Sequence, residues 1–288
     1  MLRVTCLAAV SLMAIASVPP AADEAATRPA SSPTTAPAPA AAPLHPAVEK
    51  ALNALEAAGK SPKHAALKAD VRYAEEEMLF EDVTVMTGQV YYHKDPGGKV
   101  PARFRIHFDR IRQGRRGVKA DRDYAFYTDA TGQWLVSRNA DIKQQVTYQI
   151  ARPGETKDPL ALGKGPFPLP FGQKKADVLR LFGVTTRKLT DQERKELGEV
   201  TYLLLSPTPA AAKDLKVKRV ELWVDVAGLP IQIRLQDADG QVEKTARFTK
   251  INRVQTLSDS DLRPRPPGSG WEVRVEPLHR VVKGPPSG

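Results

Sequence analysis

Histidine, cysteine and carboxylate side chains carry most metal-binding and proton-transfer chemistry in proteins, and this sequence spaces them in no catalytic pattern. The histidines are His45, His64, His93, His107 and His279, and none forms a pair at metal-ligand spacing. The single cysteine excludes a disulfide framework, a cysteine-based zinc site and an iron–sulfur cluster. Neither a nucleophile elbow nor a phosphate-binding loop occurs. We therefore expect no metal, no cofactor and no enzymatic activity.

Charged side chains form two clusters in the sequence. Residues 75–77 are three glutamates, which we interpret as a solvated strand edge because neighbours on a strand point to opposite faces. A basic run stands on a predicted hairpin tip, and it consists of Arg110, Arg112, Arg115, Arg116, Lys119 and Arg122. It is either a solvated loop or a docking patch, with Arg112, Arg115 and Arg116 contacting an acidic partner or anionic lipid headgroups. It lacks interleaved stacking aromatics, so we expect no nucleic-acid partner.

Composition excludes further classes of protein. Among 288 residues, 43 Lys and Arg stand against 33 Asp and Glu, which leaves a net charge of +10. Such an excess suits an acidic partner or an anionic membrane surface better than an acidic substrate pocket. No apolar run reaches the roughly 20 residues that a bilayer-spanning helix needs, so an integral transporter is excluded.

The N-terminus has the pattern of a cleaved secretory signal over residues 1–22. Arg3 supplies the positive charge, residues 4–18 are apolar, and the small-x-small motif at 14–16 suits cleavage. A buried N-terminal helix is the alternative interpretation. Cys6 lies in the signal, so the exported protein is predicted to contain no cysteine and to depend on its core for stability.

Composition also sets the predicted domain boundaries. Residues 23–46 are mostly Ala, Pro, Thr and Ser, which cannot bury enough apolar surface to fold, so we predict a disordered linker. Residues 279–288 are predicted to be a disordered tail. One folded domain is therefore expected over residues 47–278.

Two helices are predicted within this domain. The first has Val48, Leu52 and Leu55 at helical spacing, and Gly59 is predicted to end it. The second covers residues 174–182, with Val178, Leu179 and Phe182 on one stripe. Both are amphipathic, so each is expected to pack one face against the rest of the domain.

Strand patterns occupy most of the remaining sequence. Over residues 102–112, apolar and polar side chains alternate strictly, as in a half-buried antiparallel strand. Similar segments are predicted at 83–94, 122–129, 133–139, 142–151, 200–206, 216–226, 229–237 and 241–252. An apolar loop rich in Pro and Gly covers residues 158–172. So many half-buried strands predict a curved sheet or barrel, since a flat sheet would leave its edges unpaired.

Four motifs in a fixed order resemble those of the outer-membrane lipoprotein carrier (LolA-like) family. They are Gly-Gln-Val-Tyr-Tyr at 88–92, Pro-Ala-Arg-Phe-Arg at 101–105, Tyr-Thr-Asp-Ala-Thr-Gly-Gln-Trp-Leu at 127–135, and Pro-Pro-Gly at 266–268 followed by Trp-Glu-Val at 271–273. Each motif alone is loose, and the resemblance rests on their order and spacing across nearly the whole folded part. The sequence departs from the family at Val100, where these carriers commonly have an arginine linked to lid closure.

The resemblance implies a mainly β fold, an unclosed antiparallel β-barrel of about eleven strands covered by short lid helices. An apolar cavity inside it would bind the acyl chains of lipoproteins or other lipids and carry them through the periplasm toward the outer membrane. The implied cavity lining is Phe104, Ile106, Phe108, Phe126, Leu222, Val224, Ile231, Ile233 and Phe248. The implied lid contacts are Val48, Leu52, Val178, Leu179 and Phe182.

The resemblance also implies partners, and the function stays open between three classes. The implied partners are lipoproteins or lipids, an inner-membrane releasing transporter and an outer-membrane receptor, with transient contact to the membrane surface; we expect a monomer.

The leading hypothesis is a periplasmic carrier, the second an envelope sensor or protein-interaction module with the same fold, and the third a periplasmic hydrolase. Strand alternation does not distinguish a cavity from an ordinary core. A cavity under the helices would favour the carrier, a filled barrel with an exposed apolar patch the sensor, and convergent carboxylates or histidines the hydrolase.

Overall fold

A computed structural model of the chain describes residues 43–80, 82–95, 102–114, 116–155, 157, 160, 162 and 171–278. The predicted signal over 1–22, nearly all of the predicted linker over 23–46 and the predicted tail over 279–288 lie outside the described residues. Val100 and Arg115 do so as well. Within the described part, no helix is both long and apolar enough to cross a membrane.

The first helix, α1, spans Pro46–Lys60 and has one buried face. A proline opens it, and the His45 Nδ1 accepts a hydrogen bond of 3.2 Å from the Ala47 amide, which satisfies one of the free donors of the first turn. The buried face consists of Val48, Ala51, Leu52, Leu55 and Ala58. Gly59 lies inside the helix, which ends one residue later because Ser61 adopts an extended backbone and a proline follows.

Twelve strands form one continuous sheet. Their bounds are β1 Ala66–Glu77, β2 Asp82–His93, β3 Arg103–Gln113, β4 Arg116–Asp129, β5 Gly132–Asn139, β6 Gln144–Ala151, β7 Phe182–Thr185, β8 Val200–Pro207, β9 Val217–Asp225, β10 Pro230–Asp237, β11 Val242–Arg253 and β12 Glu272–Glu276. The order across the sheet is β12-β6-β5-β4-β3-β2-β1-β11-β10-β9-β8-β7, so β12 and β7 are its edges and the sheet is unclosed. The predicted fold class, mainly β with an unclosed sheet and short helices, is confirmed.

The structure refines this prediction in two respects. The described strands number twelve rather than about eleven, and the segments predicted from the sequence patterns include none of β1, β7 and β12. The sheet is also not antiparallel throughout, because β12 pairs with β6 in parallel, with Glu272 opposite Gln144. A parallel pairing needs a crossover, and residues 254–271 provide it between β11 and β12.

The inner face of the sheet is apolar, and the outer face is charged. In β3, Phe104, Ile106 and Phe108 are buried, while the intervening Arg105 and His107 point to the other face. The buried side chains of the sheet, α1 and the segment around α2 form one continuous core cluster. Burial of each large apolar side chain stabilises the fold by roughly 1.5–3 kcal/mol, so this cluster is the main source of stability without disulfides.

Three shorter helices follow, α2 Lys175–Leu181, α3 Asp191–Leu197 and α4 Asp259–Leu262. α2 packs beside α1 on the inner side of the sheet. α3 and α4 lie on the outer side, where Trp223 of β9 donates a hydrogen bond of 3.3 Å to Glu193 of α3, and Arg103 of β3 pairs with Asp259 of α4 at 2.9 Å. Short helices therefore cover parts of both faces of the sheet.

The three glutamates at 75–77 are not at a sheet edge, contrary to the interpretation from the sequence. They end β1, which pairs with β2 on one side and β11 on the other. Glu75 lies 3.8 Å from the Lys244 ammonium on β11, which offsets part of its charge. Their solvation comes from their position at the end of the strand, because the sheet stops there.

Candidate functional site

The predicted cavity residues lie inside the sheet, where the structure places a packed cluster. All of them except Ile231 are buried, and they share this cluster with the predicted lid residues Val48, Leu52, Val178 and Phe182. Leu179 is partly buried and packs against the cluster. Ile231 is half-buried because it stands at the irregular start of β10 rather than in its regular ladder.

A gap opens in the sheet between β10 and β11. The ladder that joins them begins at Gln232, paired with Arg247, and runs from there toward their hairpin turn. β10 starts at Pro230, which has no amide hydrogen to donate, and the register is irregular immediately after it. Beyond Arg247, β11 continues along β1 without β10 beside it. We call the space between residues 229–231 and 248–253 the notch.

β11 bulges where it borders the notch. Lys250 and Ile251 together stand opposite the single β1 residue Ala69, because the β1–β11 register shifts there. Lys250 has a φ of 49°, which is uncommon for a residue with a side chain and costs of order 1 kcal/mol. Its ammonium lies 3.0 Å from the Asp70 carboxylate.

The notch contains a pocket of about 420 Å³, a volume typical of small-molecule sites. Its apolar lining is Leu229, Ile231, Phe248 and Ile251, and its polar lining is Asp225, Thr249, Lys250, Asn252 and Arg253. Asp225 is engaged within the β9–β10 turn, where its Oδ1 accepts hydrogen bonds from the Ala227 and Leu229 amides at 2.9 and 2.7 Å. Lys250 is paired with Asp70, so Arg253, which forms no ion pair within 4.0 Å among the described residues, is the cation at the rim that an anionic end of an apolar chain would meet.

An aromatic row leads from the notch into the interior beneath α1. The Phe248 ring lies 5.4 Å from the Phe171 ring, which stacks on Tyr92 at 5.1 Å between centroids. Beside this row lies a void of about 10 Å³, bordered by Gly59 and Leu229 among others. A void of that volume holds at most one water molecule. The space here is packed, so a long chain enters only if Phe171 or a helix moves.

The two inner helices are joined by a partly exposed polar clasp. The Lys175 Nζ donates hydrogen bonds to Glu49 Oε1 at 2.9 Å and to Asn53 Oδ1 at 3.0 Å, and the Lys175 amide donates to Glu56 Oε2 at 3.0 Å. Hydrogen bonds from Lys60 and then from the Lys175 amide lower the pKa of Glu56. Exposed ion pairs contribute about 1 kcal/mol or less, so the clasp is weak compared with the buried face of α1.

A second group of polar side chains lies on the outer face of β3, β4 and β5. Strand register places His107 opposite Asp123, with 3.1 Å between Nδ1 and Oδ1. Arg105 Nε donates to the same oxygen at 2.7 Å, and Arg138 Nη1 donates to the other oxygen at 3.2 Å. Burial acts to raise the pKa of Asp123, but the hydrogen bonds from His107 and Arg105 outweigh it and hold this pKa below its ordinary value.

Spacing alone makes this group a candidate metal site, which sequence reasoning missed because the pairing spans two strands. The ligand atoms of His107, Asp121 and Asp123 lie within 4.8 Å of one another. Arg138, however, also donates to Asp121 at 2.8 Å, and Arg105 holds Asp123. Two guanidinium groups thus already neutralise the two carboxylates, so a divalent cation would gain little there.

The same arginines hold the crossover between β11 and β12. Arg105 Nη1 donates to the Ser260 carbonyl oxygen at 3.3 Å, and the Arg138 guanidinium lies 4.5 Å from the centre of the Trp271 ring. Arg263 of the crossover likewise stacks on Tyr127 at 4.5 Å. We therefore assign the cluster a structural role, in which buried charges fasten the C-terminal segment to the outer face.

The predicted docking residues lie at the opposite end of β1 from the notch. Arg112 and Arg116 are exposed at the tip of the β3–β4 hairpin, next to Gly114, which turns the chain with a φ of 58°. Arg115 lies outside the described residues. The structure therefore brings the predicted cavity and lid residues together and leaves the docking residues apart from them.

Sequence reasoning missed Lys250, Ile251 and Arg253 as pocket residues. Nothing in the alternation of 241–252 marks a bulge, because the register that creates it depends on β1. One signal was present: Pro230 follows an apolar residue at the start of a predicted strand, and proline there removes a ladder hydrogen bond.

No protein-family model matches the sequence, and no curated protein matches it. Many solved structures show distant likeness, and they include the following three. An outer membrane lipoprotein-sorting protein domain from Vibrio parahaemolyticus is 13% identical, with a TM-score of 0.35, over 74% of this chain and 96% of that one. LolA superfamily protein NE2245 from Nitrosomonas europaea is 10% identical, with a TM-score of 0.33, over 75% and 96%. The MucA/MucB complex from Pseudomonas aeruginosa is 12% identical, with a TM-score of 0.38, over 74% and 60%.

Two of these descriptions name the family that the sequence motifs resemble. Identities and TM-scores this low say nothing about what the chain binds. Its ligand therefore has to be inferred from its own geometry.

Proposed function

We propose that this protein is an exported, non-enzymatic lipid-binding module that holds an acyl chain of a lipoprotein or other lipid at the notch. The observation that carries the proposal is the open pocket of about 420 Å³, whose lining includes the apolar side chains of Leu229, Ile231, Phe248 and Ile251 and which has Arg253 at its rim. An acyl chain would cover the apolar part of the lining, and an anionic headgroup would meet Arg253.

The energy of such binding comes from the apolar surface removed from water. Each buried CH₂ contributes roughly 0.8 kcal/mol, so a chain of about six carbons in the pocket would contribute about 5 kcal/mol before the cost of ordering it. A longer chain needs more room than the present pocket offers. The aromatic row of Phe248, Phe171 and Tyr92 marks the path along which such a chain would advance.

Opening that path is the role we assign to α1 and α2. Phe171 lies just before α2, and the Lys175 clasp joins α2 to α1 through polar contacts that are partly exposed. Loosening the clasp would let Phe171 swing away while most of the core cluster stays intact. In this proposal Val48, Leu52, Val178, Leu179 and Phe182 form the closed lid, and the remaining predicted cavity residues become accessible only after it opens.

A sensor or protein-interaction module is the second candidate function. The packed space beneath α1 favours it, because a carrier would be expected to hold a larger cavity in its resting state. In that case the notch would bind a single acyl chain as a signal, and a protein would read the change in the lid. The first candidate function, the lipid carrier, also includes residence in the periplasm, a lipoprotein as cargo, and partner proteins that load or receive this cargo.

The proposal is tested by binding of a fluorescent fatty acid to the purified chain. Ile231→Trp should fill the pocket and lower probe affinity at least tenfold, because residue 231 is half-buried and lines the pocket. Val226→Trp is the matched control: Val226 belongs to the adjoining β9–β10 turn, is 81% exposed and lies outside the pocket, so affinity should stay unchanged. Mass spectrometry of the protein purified from its own envelope would identify the bound lipid. Equal probe affinity in both variants, or no binding by the wild type, would refute the proposal.

A further inference from the structure

The end of the sheet away from the notch carries four basic side chains with no acidic partner. These are Arg110 and Arg112 on β3 and Arg116 and Lys119 on β4, all exposed. In the described part of the chain, no ion pair within 4.0 Å involves any of the four. By contrast Arg103, Arg105 and Arg122, farther along the same two strands, pair with aspartates.

The arrangement within the hairpin is unfavourable unless an anion is nearby. Strand register puts Arg110 directly opposite Lys119, and like charges across a strand pair repel each other. Arg112 lies opposite Gly117, which offers no side chain to screen it. A cluster of unpaired, mutually repelling cations on a protruding tip is the pattern expected of a surface that binds negative charge.

Next to this hairpin, the β1–β2 turn exposes three consecutive large apolar side chains, Met78, Leu79 and Phe80. Leu79 is 71% exposed and Phe80 is 77% exposed. Backbone hydrogen bonds hold residues 78 and 80: the Met78 amide donates to the Gln241 carbonyl oxygen at 2.8 Å, and the Phe80 amide donates to the Glu77 carbonyl oxygen at 3.1 Å. The apolar side chains are therefore held outward rather than left to fold back onto the sheet.

The two hairpins form one continuous surface. Thr84 of β2 pairs with Gln113 of β3, and the Gln113 side-chain amide donates to Asp82 Oδ2 at 3.2 Å. The exposed turn and the basic tip thus stand side by side at the same end of the sheet. We name Met78, Leu79, Phe80, Arg110, Arg112, Arg116 and Lys119 together the tip surface.

We infer that the tip surface docks the protein onto an anionic lipid bilayer. The cations would lie among the phosphate groups, while Leu79 and Phe80 enter the boundary between headgroups and acyl chains, the combination by which peripheral proteins bind membranes. Leu79 and Phe80 favour a bilayer over an acidic protein partner, because their largely exposed apolar surface leaves water when these side chains enter the bilayer.

The inference fixes the orientation of the docked protein and is independent of what the notch binds. β1 borders the notch at Leu67, opposite Arg253, and ends beside the tip surface at Glu77. Its twelve residues span about 40 Å at roughly 3.3 Å per residue. Docked through the tip surface, the molecule would therefore point its notch away from the bilayer, where a soluble ligand or partner can reach it.

The test is co-sedimentation of the full chain with vesicles of phosphatidylcholine, with or without about one-third phosphatidylglycerol. We expect binding only to the anionic vesicles, with at least a tenfold loss of affinity between low salt and about 0.5 M NaCl, because salt screens surface charges. Arg112→Glu combined with Arg116→Glu should lower the affinity at least tenfold. Leu79→Ser combined with Phe80→Ser should lower it several-fold and keep the salt dependence.

Matched controls distinguish an effect specific to the tip surface from a general effect of net charge or of exposed apolar surface. Lys188→Glu combined with Lys195→Glu makes the same change in net charge at exposed positions outside the tip surface, and Val226→Ser removes an exposed apolar side chain at the notch end. Both should bind vesicles as the wild type does. The tip variants should keep fatty-acid binding, and Ile231→Trp should keep vesicle binding. The proposal of lipid binding at the notch and the proposal of membrane docking can therefore be refuted independently of each other. Equal binding to neutral vesicles, no vesicle binding, or an equal loss in controls and tip variants would overturn the inference.

Discussion

At the scale of single residues, Asp123 is a buried carboxylate whose charge depends on hydrogen bonds from its neighbours. It is 1% exposed and accepts hydrogen bonds from Arg105, His107 and Arg138. Removing the charge by Asp123→Asn leaves two partly buried guanidinium groups short of a counter-charge, and we expect a loss of about 3 kcal/mol in the free energy of unfolding. Urea titration at pH 7 measures it, and Asp191→Asn, at a fully exposed carboxylate on α3, is the control with an expected change near zero.

The depressed pKa of Asp123 also gives this contribution a pH dependence. Because the pKa in the folded chain lies below the unfolded value of about 3.9, the stabilisation is fully present above that unfolded value. It is lost as the pH falls through the lower folded-state pKa. The difference in stability between the wild type and Asp123→Asn should therefore shrink on titration from pH 6 toward pH 2. A difference that stays constant over this range would contradict the assignment.

Single residues also show what the sequence could reveal about the site. Alternation placed Phe104, Ile106 and Phe108 on the inner face, and they are buried there. Alternation is a property of one strand, whereas the notch depends on where β10 stops pairing with β11. Ile231 was therefore assigned to the interior by its pattern, and its partial exposure follows from a neighbouring proline and a register shift.

At the scale of elements, the β9–β10 turn is fitted closely against α1. Gly228 has a φ of 79°, and a Cβ there would lie 2.0 Å from the carbonyl oxygen of Ala54. Gly228→Ala should therefore strain the backbone and push the turn away from the helix. We expect a loss of about 3 kcal/mol or more in the free energy of unfolding. Gly154→Ala is the matched control, because Gly154 has a φ of 81° but open space around its Cβ position.

The comparison of these two glycine variants isolates the helix contact. Gly154→Ala should cost only the strain of a left-handed backbone, about 1 kcal/mol. Urea titration of both variants gives the difference directly. A similar loss of unfolding free energy in both variants would mean that the turn and α1 move apart at Ala54 at little energetic cost. Since Leu229 of the same turn lines the notch, a loosened turn should also weaken fatty-acid binding.

The elements that were predicted from sequence differ from those that were missed in how their stability arises. β3 and β9 alternate clearly, since one face of each meets the core and the other carries mostly polar side chains. β1 ends with one alanine and three glutamates in succession, residue types that are depleted in strands. It forms because β2 and β11 pair with it on both sides. α3 is short, and its stability comes from a Thr190–Glu193 capping box and an Arg187–Glu193 ion pair at 2.7 Å.

At the scale of the whole molecule, the unclosed sheet gives the fold a stable centre and two weaker edges. β1 is hydrogen bonded along nearly its full length to β2 and β11, whereas β12 and β7 each have one neighbour. All five residues of β12 are exposed, and the strand is held through its pairing with β6. Openings of the structure should therefore begin at the edges, because fewer hydrogen bonds and less burial oppose them there.

Hydrogen exchange followed by mass spectrometry tests both the difference in stability between the centre and the edges of the sheet and the position of the ligand. Amides of β1 should exchange slowest, through global unfolding, while those of β7 and β12 exchange through local opening. A fatty acid at about 100 times its Kd should slow the globally exchanging amides about 100-fold by mass action. Added protection beyond that should appear at residues 248–253, which border the notch, and none at the exposed turn of 78–80. Protection gained at 78–80 instead would place the acyl chain at the tip surface and contradict the notch as its site.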